Sequence, residues 1–291
     1  MTLIHNSVAS DLHDKQSDEL DPALSTFSCN PCDAECLHSA AELLLPQFEA
    51  GKSVDAALIR TIMEDAFGAS DGDGAWVWKD AYEAVEATQV MMLTKYGALM
   101  HSEAKTPSRF LAMVEKLALL APTQTRRSED SIKLQQFSTP LPLAAIAAFA
   151  ADLRPEDTVL EPSAGTGMLA VFRLMAGSSL VLNELADTRR ELLSLLFPGV
   201  PVSGHDAGAI HDRLDPAIQP SVVLMNPPFS AAPNVDGKYK AATGQHVLSA
   251  LARLKPGGRL VLISGINFSL ATKAYRKTFD RINEMAQIVF S

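Results

Sequence analysis

Asn226-Pro227-Pro228-Phe229 carries the most specific chemistry in the chain. Consecutive prolines fix φ and remove two N–H donors, which leaves backbone carbonyls as acceptors. The Asn226 side-chain oxygen beside the Pro227 carbonyl then offers two acceptors to one planar NH2, polarising its nitrogen toward an electrophile on the opposite side. Phe229 supplies a ring on which a planar base or amide stacks. The same residues also make a plain structural turn; their position after a strand, in register with a glycine turn after an earlier strand, favours the chemical reading.

That earlier turn is Glu161-Pro-Ser-Ala-Gly-Thr-Gly167. Gly165 and Gly167 permit close backbone approach, and a helix opening there presents unpaired N–H groups to an anion. Two such glycines alone are equally consistent with a tight turn. Glu184 follows the next strand, about 20 residues past the glycine turn, where nucleoside-binding α/β folds accept ribose hydroxyls; a dipole partner for the following helix is the plainer alternative. Asp206, after a third strand, suits either an adenine amino group or a helix N-cap.

The elements that must position these residues are short β runs alternating with helices. The runs are TVLE (158–161), SLVLN (179–183), PVSG (201–204), SVVLM (221–225), RLVLIS (259–264) and QIVFS (287–291), with helical stretches expected over 168–175, 186–196, 241–254 and 270–285. Such alternation predicts an α/β fold, a doubly wound, mostly parallel sheet covered on both faces, with ligands at the carboxyl ends of its strands. The last run coincides with the last residue, so the sheet is expected either to lack its final strand or to belong to something longer. Ahead of it, three- and four-residue spacing from Ser39 predicts a small helical domain over 39–122, broken by the turn SDGDG (70–74), with a linker over 123–131 and the sheet domain over 132–291. Trp76, Trp78, Tyr82, Val85 and Val90 are expected to pack the helices. Residues 1–38, polar and without period, read as a disordered tail.

EPSAGTG, Glu184 and NPPF, in this order on strand ends, resemble the S-adenosylmethionine (SAM)-dependent N6-adenine methyltransferases, and Gln136-Phe-Ser-Thr-Pro140 is similar to the segment preceding the first strand in those enzymes. The resemblance covers about residue 135 onward and implies a class I SAM-dependent methyltransferase-like domain. It implies that Phe137, Ser138, Thr139 and Pro140 close over the methionine end of the cofactor, that Glu161, Ser163, Gly165 and Gly167 line its methionine part, and that Glu184 takes its ribose and Asp206 its adenine. Asn226, Pro227, Pro228 and Phe229 would hold the target amine, Asn226 also bordering the cofactor. A second, narrower resemblance joins DGDGAWVWKDAYEAVEATQVMML to the front portion of bacterial strawberry notch-like proteins, in which a methyltransferase-like domain precedes a superfamily 2 helicase. The chain departs from that pattern in having no GxxxxGK[ST] phosphate loop, so no ATPase activity is assigned to these residues. It also has no long target-recognition region after the sheet, of the kind with which many adenine methyltransferases read DNA.

The expected activity is therefore methyl transfer to an exocyclic amine, adenine N6 in DNA first, with RNA adenine or a protein glutamine as alternative substrates. A noncatalytic module docking a helicase or plasmid-processing partner competes with it. The net charge of -9 is uneven: residues 1–100 carry 5 basic and 17 acidic side chains, and residues 230–291 carry 9 and 3. A polyanion such as DNA, favoured over RNA as partner, would meet the C-terminal part near Lys238, Lys240, Arg253, Lys255 and Arg259, although such residues ordinarily make a solvated surface. With 47% hydrophobic and 20% charged residues, no run of about 18 apolar residues and no basic-apolar leader, the chain reads as a soluble cytoplasmic protein without membrane partners. Cys29, Cys32, Cys36 and His38 have spacing a zinc site could use, but the paired chelating turns of structural zinc sites are missing; free thiols and no metal are expected.

Overall fold

The computed structural model describes residues 32–122, 139–228 and 242–289. Five strands, β1 (Thr158–Glu161), β2 (Ser179–Asn183), β3 (Val202–Ser203), β4 (Val222–Met225) and β5 (Arg259–Leu262), form one parallel sheet in the order β3-β2-β1-β4-β5. Their near-continuous apolar sequence follows from cover on both faces. Val159, Leu180, Leu182, Val222 and Leu224 enter one core cluster, while Leu160, Val181, Val223 and Met225 enter the other. The fold is the doubly wound α/β class expected, with helices in front. Strand order reverses between β1 and β4, and in open α/β sheets the carboxyl ends of the strands at such a reversal are where ligands bind.

The helices in chain order are α1 (Asp33–Glu49), α2 (Ala56–Phe67), α3 (Trp78–Ala104), α4 (Pro107–Ala118), α5 (Leu141–Ala150), α6 (Arg173–Ala176), α7 (Asp187–Leu196), α8 (Ile210–Arg213), α9 (Ala242–Arg253) and α10 (Arg276–Met285). Local chemistry sets their ends. Asp55 accepts the Leu58 N–H at 2.9 Å to start α2, which Gly68 closes at φ 72°, and Thr106 caps α4 ahead of Pro107. α1 begins ahead of the start expected near Ser39. Glu35 accepts the Cys32 N–H at 3.0 Å, and Ala34, Cys36 and Leu37 are already buried, so the polar composition there hides an apolar face. The rest of the expected tail, residues 1–31, and the expected linker lie outside the described residues.

The first helices do not form a core of their own. Residues of α1 to α5 belong to the same cluster as Val159, Leu182 and Leu224 of the sheet. α3 is buried on every side over residues 81–90, and Trp76 packs fully with its indole N–H donating to the Ala69 carbonyl at 3.1 Å. At the amino ends of the strands, Asp157 accepts the Ser221 hydroxyl at 2.6 Å and Arg259 Nη2 at 2.5 Å, and Arg259 Nε reaches the Ala151 carbonyl at 2.7 Å. Arg259 therefore stitches β1, β4 and β5 at the end opposite their carboxyl ends, and Arg253 donates to the Asp215 carbonyl. Arg253 and Arg259 thus differ from the freely solvated basic surface read from sequence, whereas Lys255 is exposed; Lys238 and Lys240 lie outside the described residues.

The sixth apolar run does not become a strand among the described residues. Ile288 packs against the second core cluster while Val289 is 89% exposed, so residues 287–289 take no place in the sheet. No helix of the described residues is long and apolar enough to cross a membrane.

Candidate active site at the β1 and β4 strand ends

Glu161 ends β1 and is 2% exposed, with its Oε2 buried and without a hydrogen-bond partner. Burial pushes its carboxyl well above the ordinary range, a backbone hydrogen bond from Ala170 opposes that, and the neighbouring Glu184 charge adds to it. The unfolded chain ionises first, so stability is lost as pH rises from the ordinary carboxylate range through the raised folded value. Glu161→Gln is expected to gain in thermal midpoint over wild type more at about pH 8 than at about pH 4. Equal differences at both values would show that the carboxyl titrates normally.

After Glu161 the turn alternates in exposure. Ser163 and Gly165 are half-buried, whereas Pro162, Ala164, Thr166 and Gly167 are buried. Gly165 has φ 57°, and a Cβ there would meet nothing nearer than Arg189 Nη1 at 4.0 Å, so the space beside it is open. Gly167 has a different reason to be glycine. At φ 84°, a Cβ would lie 2.3 Å from Phe197 Cε2 and 3.1 Å from Leu193 Cδ2, so this position serves packing of the turn on α7.

Glu184 follows β2 and binds the turn directly: Oε2 accepts the Gly165 N–H at 2.8 Å and Oε1 the Ala186 N–H at 2.9 Å. The carboxylate thus joins the glycine turn to the start of α7, as the dipole-partner alternative requires, and each oxygen retains a further lone pair. Asn183, 1% exposed and not marked by any motif, is the joint beneath it. Its Nδ2 donates to the Pro162 and His205 carbonyls at 2.9 and 2.8 Å, and its Oδ1 accepts from Ser203 Oγ and the His205 N–H, each at 2.8 Å. One amide therefore ties together the exits of β1, β2 and β3. Asp206 is exposed and caps the short 3-10 turn that follows, accepting the Gly208 N–H at 2.8 Å. His246 on α9 lies close enough to feel the Asp206 charge, although burial dominates and lowers its pKa.

Asn226 leaves β4, the strand paired with β1. Its Nδ2 donates to Thr139 Oγ1 at 2.9 Å, across 87 residues of sequence, while its Oδ1 is buried and has no partner. Pro227 is buried, and the Pro228 carbonyl accepts the Thr243 hydroxyl at 2.8 Å, anchoring the turn to α9. Pro140 is exposed and starts α5. Phe137, Ser138 and Phe229 lie outside the described residues. The strand-end residues are thus brought together in two groups, Glu161 with Gly165 and Glu184, and Thr139 with Asn226; Asp206 stands apart on the β3 side.

Of the zinc-like quartet, Cys36 is 5% exposed in the α1 core, where burial pushes its thiol up, and Cys32 is exposed. Cys29 lies outside the described residues. Among the described residues no three His, Cys, Asp or Glu side chains are grouped as metal ligands.

The parallel doubly wound sheet, with polar residues ending β1 and β2 and following β4, defines an α/β class of domain. Solved structures similar to it include TrmN from Thermus thermophilus, at 23% identity and a TM-score of 0.40, covering 52% of this chain and 47% of that one. They also include a type I restriction-modification system methyltransferase subunit from Streptococcus thermophilus, at 15% identity and a TM-score of 0.42, covering 87% and 71%. A SAM-dependent O-methyltransferase from Thermotoga maritima is similar at 14% identity and a TM-score of 0.36, covering 53% and 54%. The match thus spans less than half of the length of TrmN. Comparison with protein-family models and with curated protein sequences finds no match.

Proposed function

We propose that the domain is a SAM-dependent methyltransferase acting on an exocyclic amine, adenine N6 of DNA in the first place. The observation that carries this reading is the buried, unpartnered Oδ1 of Asn226 at the end of β4, fixed by the bond from Nδ2 to Thr139. Burying an acceptor without a donor is unfavourable, and an NH2 of the target removes that penalty. The strand ends also fit the cofactor. Gly165 leaves open space where other residues carry a Cβ, and the buried Glu161 Oε2 awaits a donor such as an ammonium group.

When bound, SAM supplies an electrophilic methyl group on a sulfonium. The chain's residues do the rest by positioning and electrostatics. Ser163 and Gly165 line the methionine part, with Glu161 beneath it, Glu184 faces the ribose and Asp206 the adenine. Thr139 orients Asn226, whose Oδ1 with the Pro227 carbonyl draws electron density onto the target nitrogen. Phe229 stacks on the base, and a duplex substrate has its base flipped out first. The nitrogen's proton then leaves to solvent or to a nearby acceptor.

The test is mass detection of methylated nucleosides after incubation with SAM and mixed DNA and RNA, with glutamine-containing peptides as a further arm. N6-methyladenine in DNA is expected. Methylated RNA or peptide alone would move the substrate, and SAM binding without any transfer would replace the enzyme by the docking module. A prediction concerns the cofactor itself: Glu184→Ala removes charge-assisted hydrogen bonds and is expected to weaken SAM binding about 10- to 100-fold by calorimetry. Unchanged affinity in a folded variant would leave Glu184 as a joint of the turn alone.

A further inference from the structure

Besides Glu184 and Asn183, which hold the glycine turn from the end of β2, a side chain of the N-terminal helices anchors it across 80 residues of sequence. Gly165 at φ 57° and Gly167 at φ 84° flank Thr166, so the turn is built from two residues free to take many other conformations. Thr166 Oγ1 donates to Glu86 Oε2 of α3 at 3.1 Å. One helical turn earlier, Glu83 Oε1 accepts Arg189 Nε at 2.6 Å and Nη2 at 2.5 Å, and Lys79 Nζ lies 2.8 Å away. Arg189 stands behind the turn, its Nη1 4.0 Å from the position of a Cβ on Gly165. Glu83, Glu86 and Arg189 are all buried, at 2%, 5% and 7% exposure. Buried charges of this kind are weak evidence for stability and better evidence for specification of one conformation.

We propose that Glu86 and Glu83 are positioning residues for the cofactor turn, Glu86 fixing Thr166 between the two glycines and Glu83 holding Arg189 behind them. Without these anchors the turn samples conformations other than the one in which Glu184 accepts the Gly165 N–H and the Ala164 carbonyl accepts the Gly167 N–H. The consequence for SAM affinity rests on the methyltransferase reading above; the ordering of the turn does not.

The experiment combines amide hydrogen exchange, read by mass spectrometry over residues 161–169, with calorimetric titration of SAM. Glu86→Ala and Thr166→Val are each expected to speed exchange in this segment, and to weaken SAM binding, by about tenfold. The double variant is expected to do no worse than either single one, because both remove the same bond. Glu86→Gln, which keeps an acceptor, and Thr166→Ser, which keeps the hydroxyl, are expected to remain near wild type, and exchange in β4 to stay unchanged. Unaltered exchange in a folded Glu86→Ala protein, or effects that multiply in the double variant, would overturn the proposal. Should Glu86→Ala fail to fold, Thr166→Val against Thr166→Ser decides alone. A wild-type protein that binds no SAM while exchange responds as stated would sink the cofactor reading and leave the positioning role standing.

Discussion

Asn226→Ala is expected to reduce methyl transfer by about 10²–10³-fold while SAM affinity stays within about twofold, the loss typical of one preorganised hydrogen-bonding group. The amide is held at one end only: Nδ2 is committed to Thr139 at 2.9 Å and Oδ1 has no partner. That asymmetry leaves the acceptor pre-aimed, so the group costs little reorganisation when the target arrives, and its removal is felt in the transition state more than in cofactor binding. Thr139→Val frees the amide to rotate and is expected to give a smaller loss of the same kind, restored by Thr139→Ser. Single-turnover transfer to DNA, with SAM titration on the same variants, checks both. A folded Asn226→Ala protein that binds SAM and transfers at more than about a tenth of the wild-type rate would show that the polarising acceptor lies elsewhere.

Arg189→Met is expected to destabilise the protein by about 3–5 kcal/mol, because it strands a carboxylate in the interior. Glu83 is 2% exposed, and its Oε2 already has no hydrogen-bond partner. Lys79 remains at 2.8 Å from Oε1, but its side chain is 23% exposed and shares its charge with solvent, so it offsets a part of the loss. The matching variant Glu83→Gln with Arg189→Met removes both charges and is expected to recover most of the stability, since the cost of the single change lies in the unpaired ion. Thermal unfolding reads the difference, at about 2–4 °C per kcal/mol for a domain of this size class. A drop of less than about 1 kcal/mol in the single variant would mean that Lys79 or water serves the Glu83 carboxylate in place of Arg189.

Much of the architecture was legible because parallel strands buried on both faces announce themselves as short apolar runs, and five of the six runs pair as strands. The sixth takes no strand over its described residues, 287–289, for a reason the run itself does not contain: a strand needs a partner in register, and Val289 is 89% exposed. α5, LPLAAIAAFA, was not legible because a helix apolar all round has no period to detect. The strand-end residues were marked by type and order, yet their bonding was not. Glu184 accepts N–H groups from the glycine turn and from the start of α7, Asp206 accepts one from the turn that follows it, and a Cβ on Gly167 would collide with Phe197. Asn183 escaped notice because a lone asparagine at a strand end looks like any other. Glu83 and Glu86 escaped for a sharper reason: charged residues on a helix read as a solvated face, and no local pattern reveals that a second layer of structure covers them.

A helix enclosed on every side over residues 81–90 also decides how this chain can be divided in the laboratory. A fragment beginning just ahead of α5 would keep every strand and every strand-end motif, and would look from its sequence like a minimal catalytic unit. It would nonetheless uncover the apolar surface that α3 and α4 now share with Phe172 and Leu169, and leave Arg189 without its counter-ion. Expression trials, chimeras and transplants that respect the physics should therefore carry residues 32–122 along with the sheet.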